Sequence, residues 1–157
     1  MRSGARFSRD RRYRYALWRR WDASRPLCAF VLLNPSTADE RADDPTTRRC
    51  LAFARRWDFG GMVVLNLFAL CATEPRVLRA ASDPVGAWND RVVVAHARAA
   101  ALVVLGWGAH GGLRHRASEV RALLAPMRWK LRKLGMTRSG EPRHPLYLRG
   151  DATLGAA

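Results

Sequence analysis

Three apolar runs in this sequence end in polar or glycine-rich turns, and the residue types in those turns are suited to catalysis and binding. Asn34 follows the first run, Asn66 follows the second, and Gly106-Trp107-Gly108 follows the third. In open α/β sheets, ligands bind at the carboxyl ends of the strands. The sequence therefore predicts a ligand site at one edge of a sheet.

Asn34 is constrained by the proline that follows it. Pro35 disfavours helical backbone at the preceding residue, so Asn34 is expected to be extended at the end of its strand. Its amide donates and accepts hydrogen bonds, so it either orients a water or a substrate amide or caps the backbone of the turn. Among the acidic residues that come next, Asp39 is the candidate general base, whereas Asp44 is expected to cap a helix.

The other two turns offer groups suited to a heterocyclic ligand. The Asn66 amide supplies one donor and one acceptor, which matches the edge of a pyrimidine. Phe68 either stacks on a base or packs in the core. Trp107 lies between two glycines that permit close backbone approach. It either shapes a pocket or packs against the edge of the sheet.

His144 is the candidate, among four histidines, for stabilising negative charge. It lies between Arg143 and Pro145, in a segment stiffened by two prolines. An imidazole at this position could stabilise charge that develops on a leaving group. The alternative is that Arg143 contacts a phosphate and His144 has only a surface role.

The elements that position these residues follow from alternating apolar runs and helical segments. Two-residue alternation predicts an edge strand with one solvated face over residues 12–18, inside a basic N-terminal strand region over residues 1–25. The remaining predicted strands cover residues 27–33, 62–65, 101–105 and 129–134, with helices from Asp44-Pro45, near Trp88 and over 112–124. This order predicts the α/β class, as a three-layer α/β/α sandwich with a mostly parallel central sheet, in a single domain over residues 1–157.

The formal net charge of +15 favours a polyanionic partner. Nine arginines fall between Arg2 and Arg25, and ten basic residues fall between Arg114 and Arg149. Nucleic acid is the predicted partner, and the alternatives are a solvated basic surface or an acidic protein partner. No apolar run is long enough to cross a bilayer, and no apolar signal core follows the N-terminus, so we expect no membrane partner and a cytoplasmic location.

The three cysteines form no Cys-x-x-Cys pair and are too few for a four-cysteine iron–sulfur cluster within one chain. A zinc site built from them and the scattered histidines is the alternative. Buried small apolar side chains are the expected role for them. The sequence accordingly predicts no metal and no cofactor.

Taken in order, these pieces resemble the uracil-DNA glycosylase superfamily. Leu33-Asn34-Pro35-Ser36 is similar to the first motif of that family, in the Asn-Pro form of its mismatch-specific and thymine-DNA glycosylase branch. The later motifs of the family are resembled by Val64-Leu65-Asn66, by Leu105-Gly106-Trp107-Gly108 and by His144-Pro145-Leu146-Tyr147-Leu148.

The resemblance implies a uracil-DNA glycosylase-like fold and a DNA glycosylase that hydrolyses the N-glycosidic bond of uracil or a related damaged base. It implies that Asn34, with Asp39 as its helper, places the water and that His144 stabilises the departing base. It assigns base binding to Asn66, Phe68 and Trp107, and DNA contacts to Arg143, Pro145, Leu146 and Tyr147. The expected partner is single- or double-stranded DNA whose damaged base is flipped out, bound by a monomer at the bacterial nucleoid.

The sequence departs from the glycosylase pattern at two positions. Leu146 stands where the family has a serine after His-Pro, and Leu32 or Leu33 stands where a glycine normally begins the first motif. The full signature, including Leu-Asn-Pro-Ser-Thr-Ala-Asp, also resembles a family of small bacterial and phage proteins of unassigned function. Two alternatives stay open: a non-catalytic module that binds nucleic acid or a nucleotide, and an enzyme acting on the N-glycosidic bonds of nucleosides.

Overall fold

The apolar runs of the sequence form the centre of a seven-stranded sheet. A computed structural model describes residues 1–157, which is the whole chain. In chain order, the strands are β1 (Arg2–Phe7), β2 (Arg14–Arg20), β3 (Leu27–Leu32), β4 (Gly61–Asn66), β5 (Leu102–Leu105), β6 (Leu131–Lys133) and β7 (Gly155–Ala156). Four α-helices accompany them: α1 (Pro45–Arg56), α2 (Pro75–Ala80), α3 (Asn89–Ala99) and α4 (Arg116–Leu124).

The order of strands across the sheet is β1-β2-β4-β3-β5-β6-β7. The four central strands are parallel, whereas β1 with β2, β2 with β4 and β6 with β7 pair in the antiparallel sense. The α/β class is therefore confirmed, but the prediction of a mostly parallel sheet is wrong because the sheet is mixed. The physical reason at the first edge is the short turn between β1 and β2, since a short turn joins only antiparallel strands.

The alternating segment near the N-terminus is an interior strand, so the prediction of an edge strand there is wrong. β2 lies between β1 and β4, and its Arg14 and Arg19 side chains are buried. Arg19 forms an ion pair with Asp43 and donates to the Asp39 carbonyl, and Arg14 donates to the Ala38 carbonyl. The alternation does not indicate a solvated face here, because an arginine stem can cover apolar surface while its guanidinium binds a neighbouring loop.

Helices cover both faces of the central sheet. The inward side chains of α1, including Cys50 and Phe53, pack with Phe30 and Val64 on one face. On the other face, buried residues of α3 and α4 pack against β3, β4 and β5. None of the helices is long and apolar enough to cross a membrane.

The path of the chain creates a crevice between the ends of β3 and β5. From β3, the chain passes through α1 to β4 on one side, and it then returns through α3 to β5 on the other side. Strand order reverses at this point, and in open α/β sheets such a point is where ligands bind. The helix beginning at Pro45 is confirmed, with the Asp44 side chain accepting a hydrogen bond from the Thr47 N–H at 2.8 Å.

Replacing Phe53 by alanine should lower the free energy of unfolding by about 3–5 kcal/mol, because the substitution leaves a cavity beneath α1. Phe53 is almost fully buried and stacks on Trp57 at a centroid distance of 5.1 Å. Urea unfolding measures the change. Ala52→Ser, on the exposed side of the same helix, serves as the control and should stay within about 0.5 kcal/mol of the unsubstituted protein.

Candidate functional site

A cavity of about 780 Å³ opens at the carboxyl ends of β3 and β5. Its walls come from five segments of the chain, residues 33–36, 72–75, 107–110, 136–138 and 143–147, with Thr46 of α1. Six of the predicted site residues line it together: Asn34, Trp107, Arg143, His144, Leu146 and Tyr147. The predicted edge of the sheet is thus where the candidate site lies.

The Asn34 side chain has a fixed orientation at this cavity. Its Nδ2 atom donates to the carbonyl oxygens of Ala72 at 2.8 Å, Pro35 at 3.0 Å and Leu70 at 3.5 Å. Carbonyl oxygens only accept hydrogen bonds, so the nitrogen of the amide must face them. The Oδ1 atom is left as an acceptor at a residue that lines the cavity.

The His144 ring is held as a neutral hydrogen-bond donor. Its Nδ1 atom accepts a hydrogen bond from the Leu146 N–H at 3.2 Å, so in the neutral ring the proton must lie on Nε2. Burial lowers the pKa of His144 to about 4. At neutral pH the cavity is therefore lined by an uncharged imidazole that presents an N–H group.

The loop that carries His144 is packed directly onto the end of β5. A Cβ atom placed on Gly106 would lie 3.0 Å from Pro145 Cδ and 3.3 Å from the Arg143 carbonyl oxygen. Gly108, with a φ of 78°, donates its N–H to the Pro142 carbonyl at 2.8 Å. Pro145 is buried. It supports the cavity from beneath and does not line it.

Trp107 forms a rigid wall of the cavity. The residue is 1% exposed, and its indole N–H donates to the Glu141 carboxylate. Gly111 packs so closely on the indole that a Cβ atom there would clash with it. Arg121 lies 5.1 Å from the ring centroid. The hydrogen bond to Glu141 holds Trp107 against the segment 136–142. The indole is therefore a fixed part of the cavity wall.

Besides Pro145, three predicted site residues do not line the cavity. The Asp39 Oδ1 atom accepts hydrogen bonds from the N–H groups of Arg41 and Ala42, both at 2.8 Å, and these bonds lower the pKa of Asp39. Phe68 is fully buried in the core. Asn66 is buried at the end of β4, where neither atom of its side-chain amide has a hydrogen-bond partner.

The electrostatic character of the cavity is positive. None of its lining residues is acidic, and Arg138 and Arg143 lie at its wall. Six of the 28 basic side chains of the protein lie within 4.0 Å of a carboxylate, and neither Arg138 nor Arg143 is among them. Both guanidinium groups are therefore available to bind an anion.

Sequence reasoning missed the contribution of several polar residues. Thr73, His110, Thr137 and Arg138 line the cavity beside the predicted residues. Thr137 and Arg138 belong to a tight turn in which the Thr137 N–H donates to the Glu141 carbonyl at 2.7 Å. The sequence Arg138-Ser139-Gly140 is a turn signal, but nothing in it indicates that the turn folds back over the ends of β3 and β5.

Neither a metal centre nor a disulfide is present. No group of three or more histidine, cysteine, aspartate or glutamate side chains is placed to hold a metal ion. The three cysteines are free, and Cys28 and Cys50 are buried, where burial raises the pKa of both thiols. The candidate site consists of amide, imidazole, hydroxyl and guanidinium groups.

Residues 14–146 match the model of a family described as "Protein of unknown function (DUF1643)". The chain belongs to this family. The matched range contains Asn34, the turn at Gly106 and the His144 loop, so it covers the main walls of the cavity. No curated protein and no solved structure is significantly similar to the chain.

The titration of His144 tests the geometry of its loop. We expect the ring to titrate with a midpoint near 4, and to be the Nε2–H tautomer above that pH, because burial disfavours the imidazolium and Nδ1 accepts from Leu146. Proton–nitrogen NMR correlation over pH 3.5–8 measures both properties, with the signal assigned by its loss in His144→Gln. A midpoint near the ordinary value of about 6.5 would contradict this burial.

Gly106→Ala should displace the His144 loop, because the added methyl group meets Pro145 and the Arg143 carbonyl. We expect altered NMR shifts of His144 and a loss of about 1–3 kcal/mol of stability from overpacking. Gly112→Ala is the matched control, since a Cβ atom there meets nothing within 4 Å. Equal behaviour of the two variants would show that the loop does not depend on contact with Gly106.

Proposed function

We propose that this protein is a uracil-DNA glycosylase-like enzyme that hydrolyses the N-glycosidic bond of uracil or a related damaged base in DNA. The observation that carries the proposal is the pairing, in one cavity, of an oriented acceptor with an oriented donor. Asn34 turns its Oδ1 atom away from three backbone carbonyls, and His144 keeps its proton on Nε2.

Each of these two groups suits one half of the reaction. The Asn34 oxygen can accept a hydrogen bond from a water and so hold its lone pair toward the sugar. The neutral His144 can donate to a base that leaves as an anion, where preorganised donors stabilise developing charge. The water supplies hydroxide to the sugar carbon, the base takes the bonding electron pair, and the proton of the water is released.

The absence of a carboxylate from the cavity wall narrows the class of reaction. Without a general base, the water attacks as a weak nucleophile, which is sufficient only when the sugar already carries positive charge. Glycoside cleavage proceeds through such an oxocarbenium-like transition state. Asp39 has no part in this mechanism because its carboxylate is engaged by the turn that it closes.

The surroundings of the cavity favour a nucleic-acid substrate. Arg138 and Arg143 can bind phosphates, and Tyr147, which is 76% exposed, stands with Leu146 at the cavity wall. A side chain of this kind can occupy the gap that a flipped nucleotide leaves in the duplex. Asn66 has an unpartnered donor and acceptor at the end of β4, but neither Asn66 nor Phe68 lines the cavity, so the cavity wall gives no support to base recognition by these two residues.

The direct test uses labelled oligonucleotides that contain one uracil or one hypoxanthine, each in single- and double-stranded form. The purified protein is incubated with them, and abasic sites are then cleaved with alkali. We expect strand scission at the modified base and none in the matched normal oligonucleotide. If folded protein produces no scission in any of these substrates, but cleaves free nucleosides, the activity is on nucleosides instead. If the protein cleaves neither the oligonucleotides nor the free nucleosides, the proposal of a hydrolase is rejected.

Asn34→Ala should reduce single-turnover base excision by at least about 100-fold, because it removes the acceptor that orients the water. DNA affinity, measured by fluorescence anisotropy, should stay within about twofold. Asp39→Asn retains an acceptor for the turn and should leave excision within about twofold of the unsubstituted rate. Loss of excision in Asp39→Asn, with Asn34→Ala active, would reverse the assignment of the two residues.

A further inference from the structure

A second groove of about 650 Å³ lies beside the N-terminal hairpin formed by β1 and β2. Its walls are the hairpin itself, including Phe7 and Tyr13, and the segment 83–88 that precedes α3. We call it the hairpin groove. It shares no lining residue with the cavity that contains Asn34.

Four aromatic side chains line the hairpin groove, and besides Phe7 they are Tyr13, Tyr15 and Trp88. Tyr13 and Tyr15 stack with a centroid distance of 6.3 Å and an angle of 9° between the rings. Gly86, with a φ of 92°, lets the segment 83–88 approach these tyrosines, since a Cβ atom there would lie 3.0 Å from both rings. This approach brings Trp88 to the groove with 52% of its surface exposed. An exposed indole beside stacked rings is a suitable platform for a nucleobase.

Unpaired arginines accompany the aromatic side chains. Arg91 lies 5.3 Å from the Trp88 ring centroid, and Arg12 lies 6.0 Å from that of Tyr13. Arg6 and Arg9 line the groove. None of these four guanidinium groups lies within 4.0 Å of a carboxylate.

The two aspartates of the hairpin groove accept hydrogen bonds from residues two or three positions away in the chain. The Asp10 Oδ1 atom accepts from Ser8 Oγ at 2.7 Å and from the Arg12 N–H at 3.1 Å. The Asp83 Oδ1 atom accepts from the Gly86 N–H at 3.1 Å. Four unpaired cations against two carboxylates that close turns leave the surface positive, which matches a phosphate backbone.

The hairpin groove and the Asn34 cavity are joined by a continuous stretch of backbone. Tyr13 forms a β-bridge with Leu70, and the Cys71 N–H donates to the Arg12 carbonyl at 2.8 Å. The next residue, Ala72, lines the cavity and accepts from Asn34. A strand that leaves the cavity can therefore follow this edge of the protein into the hairpin groove.

We propose that the hairpin groove binds single-stranded nucleic acid, with a base stacked on Trp88 and phosphates held by Arg9, Arg12 and Arg91. A single strand is the expected form because stacking on an exposed indole needs an uncovered base face, and the base faces of a duplex are covered. This binding does not require hydrolysis in the Asn34 cavity, so the two proposals can fail separately.

The test measures the affinity of the full chain for a fluorescently labelled 20-nucleotide oligothymidylate by anisotropy. Trp88→Ala should weaken binding by about fivefold or more, the effect expected for the loss of one stacked base, while Trp88→Phe should retain most of the affinity. Arg9→Ala should reduce the magnitude of the slope of log K against log salt concentration by about 0.7. None of these sites is in the Asn34 cavity.

Trp129→Ala is the matched control, because Trp129 is also exposed and also has a cation, Lys130, near its ring. It precedes β6 and so lies at the opposite, amino end of the parallel strands. Binding by this variant should stay within twofold. The proposal would be overturned if both tryptophan variants lost the same amount of affinity for the oligonucleotide. It would also be overturned if the protein bound duplex DNA as tightly as the single strand, or if polyglutamate of equal charge displaced the oligonucleotide completely. Failure of these binding predictions, with excision from the uracil-containing oligonucleotides intact, would leave the function proposal standing.

Discussion

The candidate site depends on one close contact, between Gly106 at the end of β5 and the loop that carries His144. A larger side chain there would force its neighbours to shift, because Pro145 Cδ, Leu32 Cδ2 and the Arg143 carbonyl all lie within 3.3 Å of the position of a Cβ atom. Parallel pairing of β3 with β5 places Asn34 beside this contact. The position of the His144 loop relative to the end of β5 therefore depends on backbone packing, which side-chain motion alone does not change.

The large positive charge has two separate physical roles. Arg14, Arg19 and Arg116 are buried and donate to the carbonyls of loops that follow the strands, namely those of Ala38, Asp39 and Leu67. A guanidinium offers five donors in one plane, so it can satisfy loop carbonyls that no strand pairs with. Most other basic side chains have no carboxylate within 4.0 Å, and these give the surface its excess of positive charge.

The parts of the fold that could be predicted are those with a strong local pattern. The strands around Phe30, Val64 and Val104 are continuous apolar runs, and α1 begins with a capping aspartate followed by proline. Strand β1 is rich in polar residues, and β7 and helix α2 contain only two and six residues, so none of these elements has such a pattern. Local propensity does not encode such pairing, since the hydrogen-bond partners are distant in sequence.

The sequence by itself determined which residue types follow each central strand, and therefore that an amide, a Gly-Trp-Gly turn and a His-Pro loop belong to one edge. Only the tertiary structure decided how these groups are used. The backbone carbonyls of Pro35, Leu70 and Ala72 orient the Asn34 amide, and burial keeps His144 neutral. Asp39, by contrast, is turned into its own loop. Hydrogen-bond direction and desolvation arise from neighbours in space, and a linear sequence does not contain those neighbours.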